Sequence, residues 1–147
     1  MKTVFIFGLG YVGVPLAQAL ADQGWQVRGT TRTPSELAAK AGPGRQILPF
    51  QSGQPLTDPP TAFADIDAII STITAIGGSD PVLDAHGDDL ANFSGWSGYV
   101  SATSVYPDMP HDICYEDTKV APATARGKAR VVAEARWQES FGTEVFR

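Results

Sequence analysis

Apolar runs and helix-like stripes of hydrophobic residues alternate along the whole chain. Uninterrupted apolar runs are typical of strands buried on both faces, as in a parallel sheet. The pattern predicts strands at 3–7, 25–31, 47–50, 66–72, 99–103 and 143–147. It predicts helices at 14–23, 34–41, 81–93 and 122–141, with loops at 51–64 and 104–121. This alternation predicts an α/β fold with a doubly wound parallel sheet of about six strands.

A glycine-rich turn joins the first predicted strand to the first predicted helix. Gly8 permits a tight turn, Gly10 lets a pyrophosphate approach the backbone, and Gly13 lets the helix pack close to the strand. The backbone N–H groups of Tyr11 and Val12 and the helix dipole then favour phosphate oxygens. In this strand–turn–helix context the spacing predicts a Rossmann-type dinucleotide site.

Two further strand ends are predicted to contact the dinucleotide. The second strand ends at Thr31-Arg32, where an NAD site usually has a carboxylate for the ribose 2′-hydroxyl. Without that acid, Thr31 and Arg32 favour a 2′-phosphate, so we predict NADP in preference to NAD; alternatively, Arg32 is a solvated loop residue. Ser71 and Thr72 end the fourth strand at the ligand-binding edge, or are a simple strand end.

Composition narrows the class of protein. The chain has 147 residues and a net charge of -5, which disfavours a nucleic-acid partner. A single cysteine, Cys114, excludes an internal disulfide, and His86 and His111 have no metal-ligand spacing, so no metal site is predicted. No apolar stretch is long enough to span a membrane, and we expect a cytoplasmic protein.

Two later motifs resemble one enzyme family. The opening 8–17 is similar both to UDP-sugar 6-dehydrogenases and to atypical extended short-chain dehydrogenase/reductases of the epimerase/dehydratase group. The segment 100–107, Val-Ser-Ala-Thr-Ser-Val-Tyr-Pro, resembles that group's strand-five end, with Glu116 downstream. The segment 126–130, followed by Glu134, resembles its catalytic helix. Together these motifs favour the epimerase/dehydratase group.

The resemblance implies a helix tyrosine that transfers a proton, a lysine four residues later that holds the nicotinamide ribose, and a strand-five serine that binds substrate oxygen. This chain has Arg126, Arg130 and Ala102 at those positions. Arginine does not release its proton near neutral pH, so the family chemistry does not carry over intact. The two arginines form either an anion clamp or a solvated face. Thr103 and Tyr106 are the remaining candidates for a hydroxyl donor and a phenolic acid.

The sequence therefore supports two functions. The first is an NADP-dependent reductase, epimerase or dehydratase of atypical site, acting on a sugar nucleotide or another small carbonyl or alcohol substrate. The second is a non-catalytic dinucleotide-binding redox sensor. The resemblance further implies a homodimer through helices 81–93 and 122–141. It also implies that 1–147 is a cofactor domain whose following substrate-binding part is absent from this chain.

Overall fold

The secondary structure comes from a computed structural model that describes residues 1–35, 45–108 and 113–147. Its strands are β1 (Thr3–Phe7), β2 (Gln26–Thr31), β3 (Arg45–Pro49), β4 (Ala68–Ser71), β5 (Trp96–Val100) and β6 (Glu144–Phe146). Its α-helices are α1 (Gly13–Asp22), α2 (Pro59–Ala62), α3 (Pro81–His86) and α4 (Ala125–Phe141). Most of the helix predicted at 34–41 lies outside the described residues.

The six strands form one parallel sheet in the order β3-β2-β1-β4-β5-β6. This confirms the predicted α/β class and the doubly wound sheet. Strands β2 and β3 lie on one side of β1, and strands β4, β5 and β6 lie on the other. The carboxyl ends of β1 and β4 therefore border the point where the strand order reverses, and ligands of such sheets bind in that crevice.

Alternate side chains of β1 enter two cores, one on each face of the sheet. Phe5 and Phe7 belong to the larger core, which Trp137 of α4 closes with no exposed surface. Val4 and Ile6 belong to the smaller core beneath α1. Every residue of β1 is buried, as its uninterrupted apolar run predicts.

Capping residues account for two differences from the predicted secondary structure, one in a predicted loop and one in a predicted helix. The segment 51–64 contains the short helix α2, whose first turn is capped where Asp58 Oδ1 accepts from the Thr61 N–H at 3.2 Å. Helix α4 begins at Ala125 rather than 122 because Thr124 Oγ1 accepts from the Gly127 N–H at 3.0 Å. Short polar side chains commonly fix a helix start in this way.

The regions on either side of β5 also differ from the prediction. The predicted helix 81–93 stops at His86 and continues as turns. The strand predicted at 99–103 is paired over Trp96–Val100 instead, because register with β4 begins at Trp96. Residues Thr103–Val105 form a 3-10 turn. No helix in the described part of the chain combines the length and hydropathy required to cross a membrane.

Candidate functional site

The turn between β1 and α1 is held by two neighbouring strands. Gly8 has φ +95°, a conformation that side chains rarely adopt. Its N–H donates to Thr30 Oγ1 of β2 at 3.0 Å, and its carbonyl accepts from Thr72 Oγ1 after β4 at 2.6 Å. The Leu9 N–H donates to the Thr30 carbonyl at 2.6 Å. The shape of the turn thus depends on three segments of the sheet.

The remaining glycines of the turn differ in what surrounds them. A Cβ on Gly13 would collide with the Gly8 carbonyl, so α1 packs against the turn only with glycine there. A Cβ on Gly10 would meet no atom within 4 Å, so the space above Gly10 is open. Tyr11 and Val12 are exposed beside it, and no side chain caps the start of α1. The Val14 N–H donates to the Gly10 carbonyl at 3.0 Å and Pro15 has no N–H, so the N–H groups left for an anion are those just before them, on Tyr11, Val12 and Gly13.

A cavity of about 520 Å³ opens at this point. It is lined by Gly8, Leu9, Gly10, Thr30, Thr31, Arg32, Phe50, Gln51, Ser52, Ile73, Thr74, Ile76 and Pro81. The predicted residues Gly8, Gly10, Thr31 and Arg32 are therefore brought together. None of the described lining residues is a carboxylate. An open glycine backbone, uncapped helix amides and a cationic rim fit a phosphorylated dinucleotide.

Several contributors to this cavity were missed by the sequence reasoning. Phe50, Gln51 and Ser52 follow β3, and nothing in their order distinguishes them from any other loop. Gly29 of β2 is also required, because a Cβ there would lie 2.8 Å from the Leu9 side chain and 3.0 Å from the Ile6 carbonyl oxygen. A glycine inside a strand signals such a close approach.

The two residues predicted at the end of β4 occupy different environments. Thr72 binds the turn, as described above. Ser71 is fully buried, and its Oγ has no hydrogen-bond partner among the described residues. Neither residue lines the cavity directly; Thr72 acts on the site by holding Gly8.

Arg126 and Arg130 also lie in different environments. Arg126 is exposed near the start of α4. Arg130 is buried, and it donates from Nη1 to the Val100 carbonyl at 2.9 Å and from Nη2 to Thr74 Oγ1 at 3.0 Å. Arg130 therefore ties α4 to the end of β5 and to the loop after β4, and the two arginines do not act as one clamp.

Neither hydroxyl candidate beside β5 is among the described residues that line the glycine-turn cavity. Thr103 is exposed at the start of the 3-10 turn. The Tyr106 ring lies under the Arg147 guanidinium, 5.9 Å from ring centroid to carbon, and Arg147 Nη2 donates to Glu134 Oε2 at 2.8 Å. This contact with Glu134 raises the pKa of Arg147. Tyr106, Arg147 and the buried Glu134 form a cluster outside the described lining of the glycine-turn cavity.

Two buried titratable groups lie behind the site, between β5, α3 and α4. Burial raises the pKa of Tyr99 to about 12, and the positive charge of Arg130 opposes that rise. Burial likewise raises the pKa of Asp80, although its carboxylate caps α3 and accepts from Trp137 Nε1 at 3.1 Å. Both groups are packing partners of α4 rather than part of the cavity wall.

His86, which lacks metal-ligand spacing in the sequence, has a structural role. It is fully buried; its Nδ1 lies 2.8 Å from Asp89 Oδ2, and its Nε2 accepts from the Leu56 N–H at 3.1 Å. Both ring nitrogens are thus occupied. Cys114 is exposed. Among the residues the structure describes, no three His, Cys, Asp or Glu side chains converge on a possible metal position.

The fold is shared with proteins that bind nicotinamide dinucleotides. UDP-glucuronic acid 4-epimerase from Bacillus cereus, solved in complex with NAD, superposes with a TM-score of 0.71 at 18% identity over 98% of this chain and 55% of its own. At that identity the similarity concerns the fold alone. A functionally unknown conserved protein from Silicibacter pomeroyi DSS superposes with a TM-score of 0.84 at 34% identity over 100% of this chain and 52% of its own.

Sequence comparison identifies the family. Protein YeeZ of Escherichia coli strain K12 is 33% identical over 155 residues, which cover 99% of this chain and 56% of YeeZ. The chain thus spans about half the length of the relatives it matches. The profile of the NAD binding domain of 6-phosphogluconate dehydrogenase matches residues 3–119, which include the glycine turn and β5. The chain belongs to this family of NAD-binding domains.

Proposed function

We propose that this chain is the cofactor domain of an atypical epimerase, dehydratase or reductase of the extended short-chain dehydrogenase/reductase type. The observation that carries the proposal is the cavity of about 520 Å³ over the glycine turn, at the reversal of the strand order. A bound nicotinamide cofactor supplies or accepts a hydride. The substrate class is a sugar nucleotide or another small carbonyl or alcohol compound, which the epimerase fold of the solved neighbours supports.

Different parts of the cavity bind different parts of the dinucleotide. The N–H groups of Tyr11, Val12 and Gly13, at the start of α1, bind the pyrophosphate, and Gly10 keeps the backbone open to it. Thr31 and Arg32 lie at the end of β2, where the adenosine ribose is held in this fold. The Arg32 guanidinium and the Thr31 hydroxyl suit a 2′-phosphate. No carboxylate in the described lining would repel it. We therefore propose that NADP is preferred over NAD.

Cofactor preference is tested by titrating the protein with NADPH and NADH and following the nicotinamide fluorescence. Wild type is expected to bind NADPH more tightly. Arg32→Gln is expected to weaken NADPH binding by about tenfold to a hundredfold, since a charge-assisted phosphate contact is worth about 1.5–3 kcal/mol, and to leave NADH binding nearly unchanged.

Lys2→Gln is the matched control, because it removes one exposed positive charge at the opposite, amino edge of the sheet. It should bind both dinucleotides as wild type does. Tighter binding of NADH than NADPH by wild type would overturn the proposed preference, and binding of neither would overturn the cofactor assignment itself.

A non-catalytic redox sensor is the second candidate, and a specific observation favours it. Arg126 is exposed and Arg130 has two nitrogens engaged in structural hydrogen bonds, so neither position offers a group that transfers a proton. Absorbance at the nicotinamide band, with NADPH and a broad panel of carbonyl substrates, separates the two functions. Turnover supports the enzyme, whereas cofactor binding without turnover supports the sensor.

We further propose that two copies pair through 81–93 and 122–141. Within these segments an ion pair between Asp84 and Arg136, 2.8 Å long, links α3 to α4 at the molecular surface.

A further inference from the structure

A second cavity, of about 670 Å³, lies between the loop after β4 and the first turns of α4. It is lined by Thr74, Ala75, Ile76, Gly77, Gly78, Ala125, Arg126, Lys128, Ala129 and Val132. Thr74 and Ile76 line both this cavity and the one over the glycine turn. The two spaces are therefore adjacent, and a molecule in the second cavity lies next to whatever occupies the first.

The charge in this second cavity has one sign. Arg126 and Lys128 are both exposed, and none of the described lining residues is acidic. Both cations also lie in the first turn of a seventeen-residue helix that has no acidic residue there. A helix dipole disfavours cations at that end, so the two side chains are at an electrostatic disadvantage there. An anion between them would remove it.

Arg130, on the same helix, lies outside the described lining of this cavity but contacts one residue of it. Arg130 is 8% exposed, and its Nε has no hydrogen-bond acceptor among the described residues. The same guanidinium donates to Thr74, one of the two residues common to both cavities. The rest of the lining is apolar, through Ile76, Ala129 and Val132. The cavity thus offers cations for one end of a small molecule and an apolar surface for its body.

We propose that this second cavity binds the anionic group, a carboxylate or a phosphate, of a small substrate, with Arg126 and Lys128 as its direct ligands. The proposal rests on the proposed function in one respect: it takes the neighbouring cavity as the cofactor site. It narrows the substrate class to acidic carbonyl or alcohol compounds. It also gives Arg126 a binding role at a position where it cannot act as an acid or base.

The test is an amide-resolved NMR titration with two probes, inorganic phosphate and acetate, each with and without NADPH. The Gly77, Gly78 and Ala129 amides should shift, because they belong to the cavity wall. The double variant Arg126→Gln, Lys128→Gln should weaken binding of the preferred probe by at least about tenfold. Lys2→Gln should stay within about twofold of wild type. A stronger response to phosphate than to acetate, or the reverse, identifies the anion.

The outcomes separate this inference from the cofactor assignment. Shifts at Gly77 and Gly78 that persist with saturating NADPH and disappear in the double variant support the anion site. Shifts confined to the Gly10 turn, or an unchanged affinity in a double variant whose other amide signals match wild type, overturn it. NADPH binding is scored separately at Gly10, so either assignment can fail while the other stands.

Discussion

At the scale of the residue, Gly10 and Gly13, three positions apart, have different roles. Gly13 is a packing residue, since its missing side chain lets α1 approach the Gly8 carbonyl. Gly10 is surrounded by open space, so nothing in the protein itself requires a glycine there. A glycine that no protein contact explains is expected where the backbone must stay clear for a ligand.

This contrast predicts different effects of alanine at the two positions. Gly10→Ala should leave thermal stability unchanged or slightly raised, because the new methyl group meets no protein atom, and should weaken NADPH binding by about tenfold or more. Gly13→Ala should lower the free energy of unfolding by about 1–3 kcal/mol, as overpacking does. Thermal denaturation and NADPH titration of both variants measure the two effects. Full NADPH affinity in Gly10→Ala would contradict the placement of the pyrophosphate.

At the scale of the element, the sequence predicts the segments whose structure depends on neighbouring residues. The buried strand β1, the glycine turn and α1 follow directly from apolar runs and glycine spacing, and the structure has them at 3–7 and 13–22. The position of β5 could not be found this way. Its residues Trp96–Val100 are a strand because they pair with β4, and register between distant segments leaves no local signal.

The candidate site shows the same division. Gly8, Gly10 and Arg32 are recognisable by their place after a strand. The different fates of Arg126 and Arg130 are not, because four-residue spacing places two side chains near one another but does not decide which is buried. That depends on the Val100 carbonyl and on Thr74, which come from other elements.

Packing of α4 against β5 predicts a pH effect on stability. Tyr99 is fully buried, its hydroxyl has no hydrogen-bond partner among the described residues, and burial raises its pKa to about 12. Between pH 10 and 12 the unfolded chain loses the phenolic proton while the folded chain keeps it. The free energy of unfolding therefore falls as pH rises through this window, by about 2–3 kcal/mol in total.

Tyr99→Phe should remove this part of the alkaline loss and be close to neutral in stability at pH 7, because the hydroxyl it deletes is unpaired. Urea unfolding at neutral pH and across the alkaline window measures both effects. The exposed Tyr115→Phe serves as the control and should retain the wild-type slope. Equal slopes for Tyr99→Phe and wild type would show that burial of this phenol does not set the alkaline limit.

At the scale of the whole molecule, the proposed pairing of two copies predicts a concentration-dependent mass. A twofold interface over 81–93 and 122–141 would place each Asp84–Arg136 pair in or beside the contact. Sedimentation velocity should give a dimer for wild type. Arg136→Glu should shift it towards monomer, while Lys2→Glu, the same charge change at the amino edge, should not. A wild-type monomer at high concentration would be incompatible with pairing.

The hydrogen bonds of the glycine turn bear on how binding competence arises during folding. The Gly8 N–H reaches an acceptor 22 positions along the chain, and the Gly8 carbonyl reaches a donor 64 positions along it. Contacts of such separation form late, after the intervening chain has been ordered. A nascent or excised β1–α1 segment would carry the whole glycine motif yet lack the fixed turn. Recognition of the dinucleotide is thus acquired only when the centre of the sheet has closed.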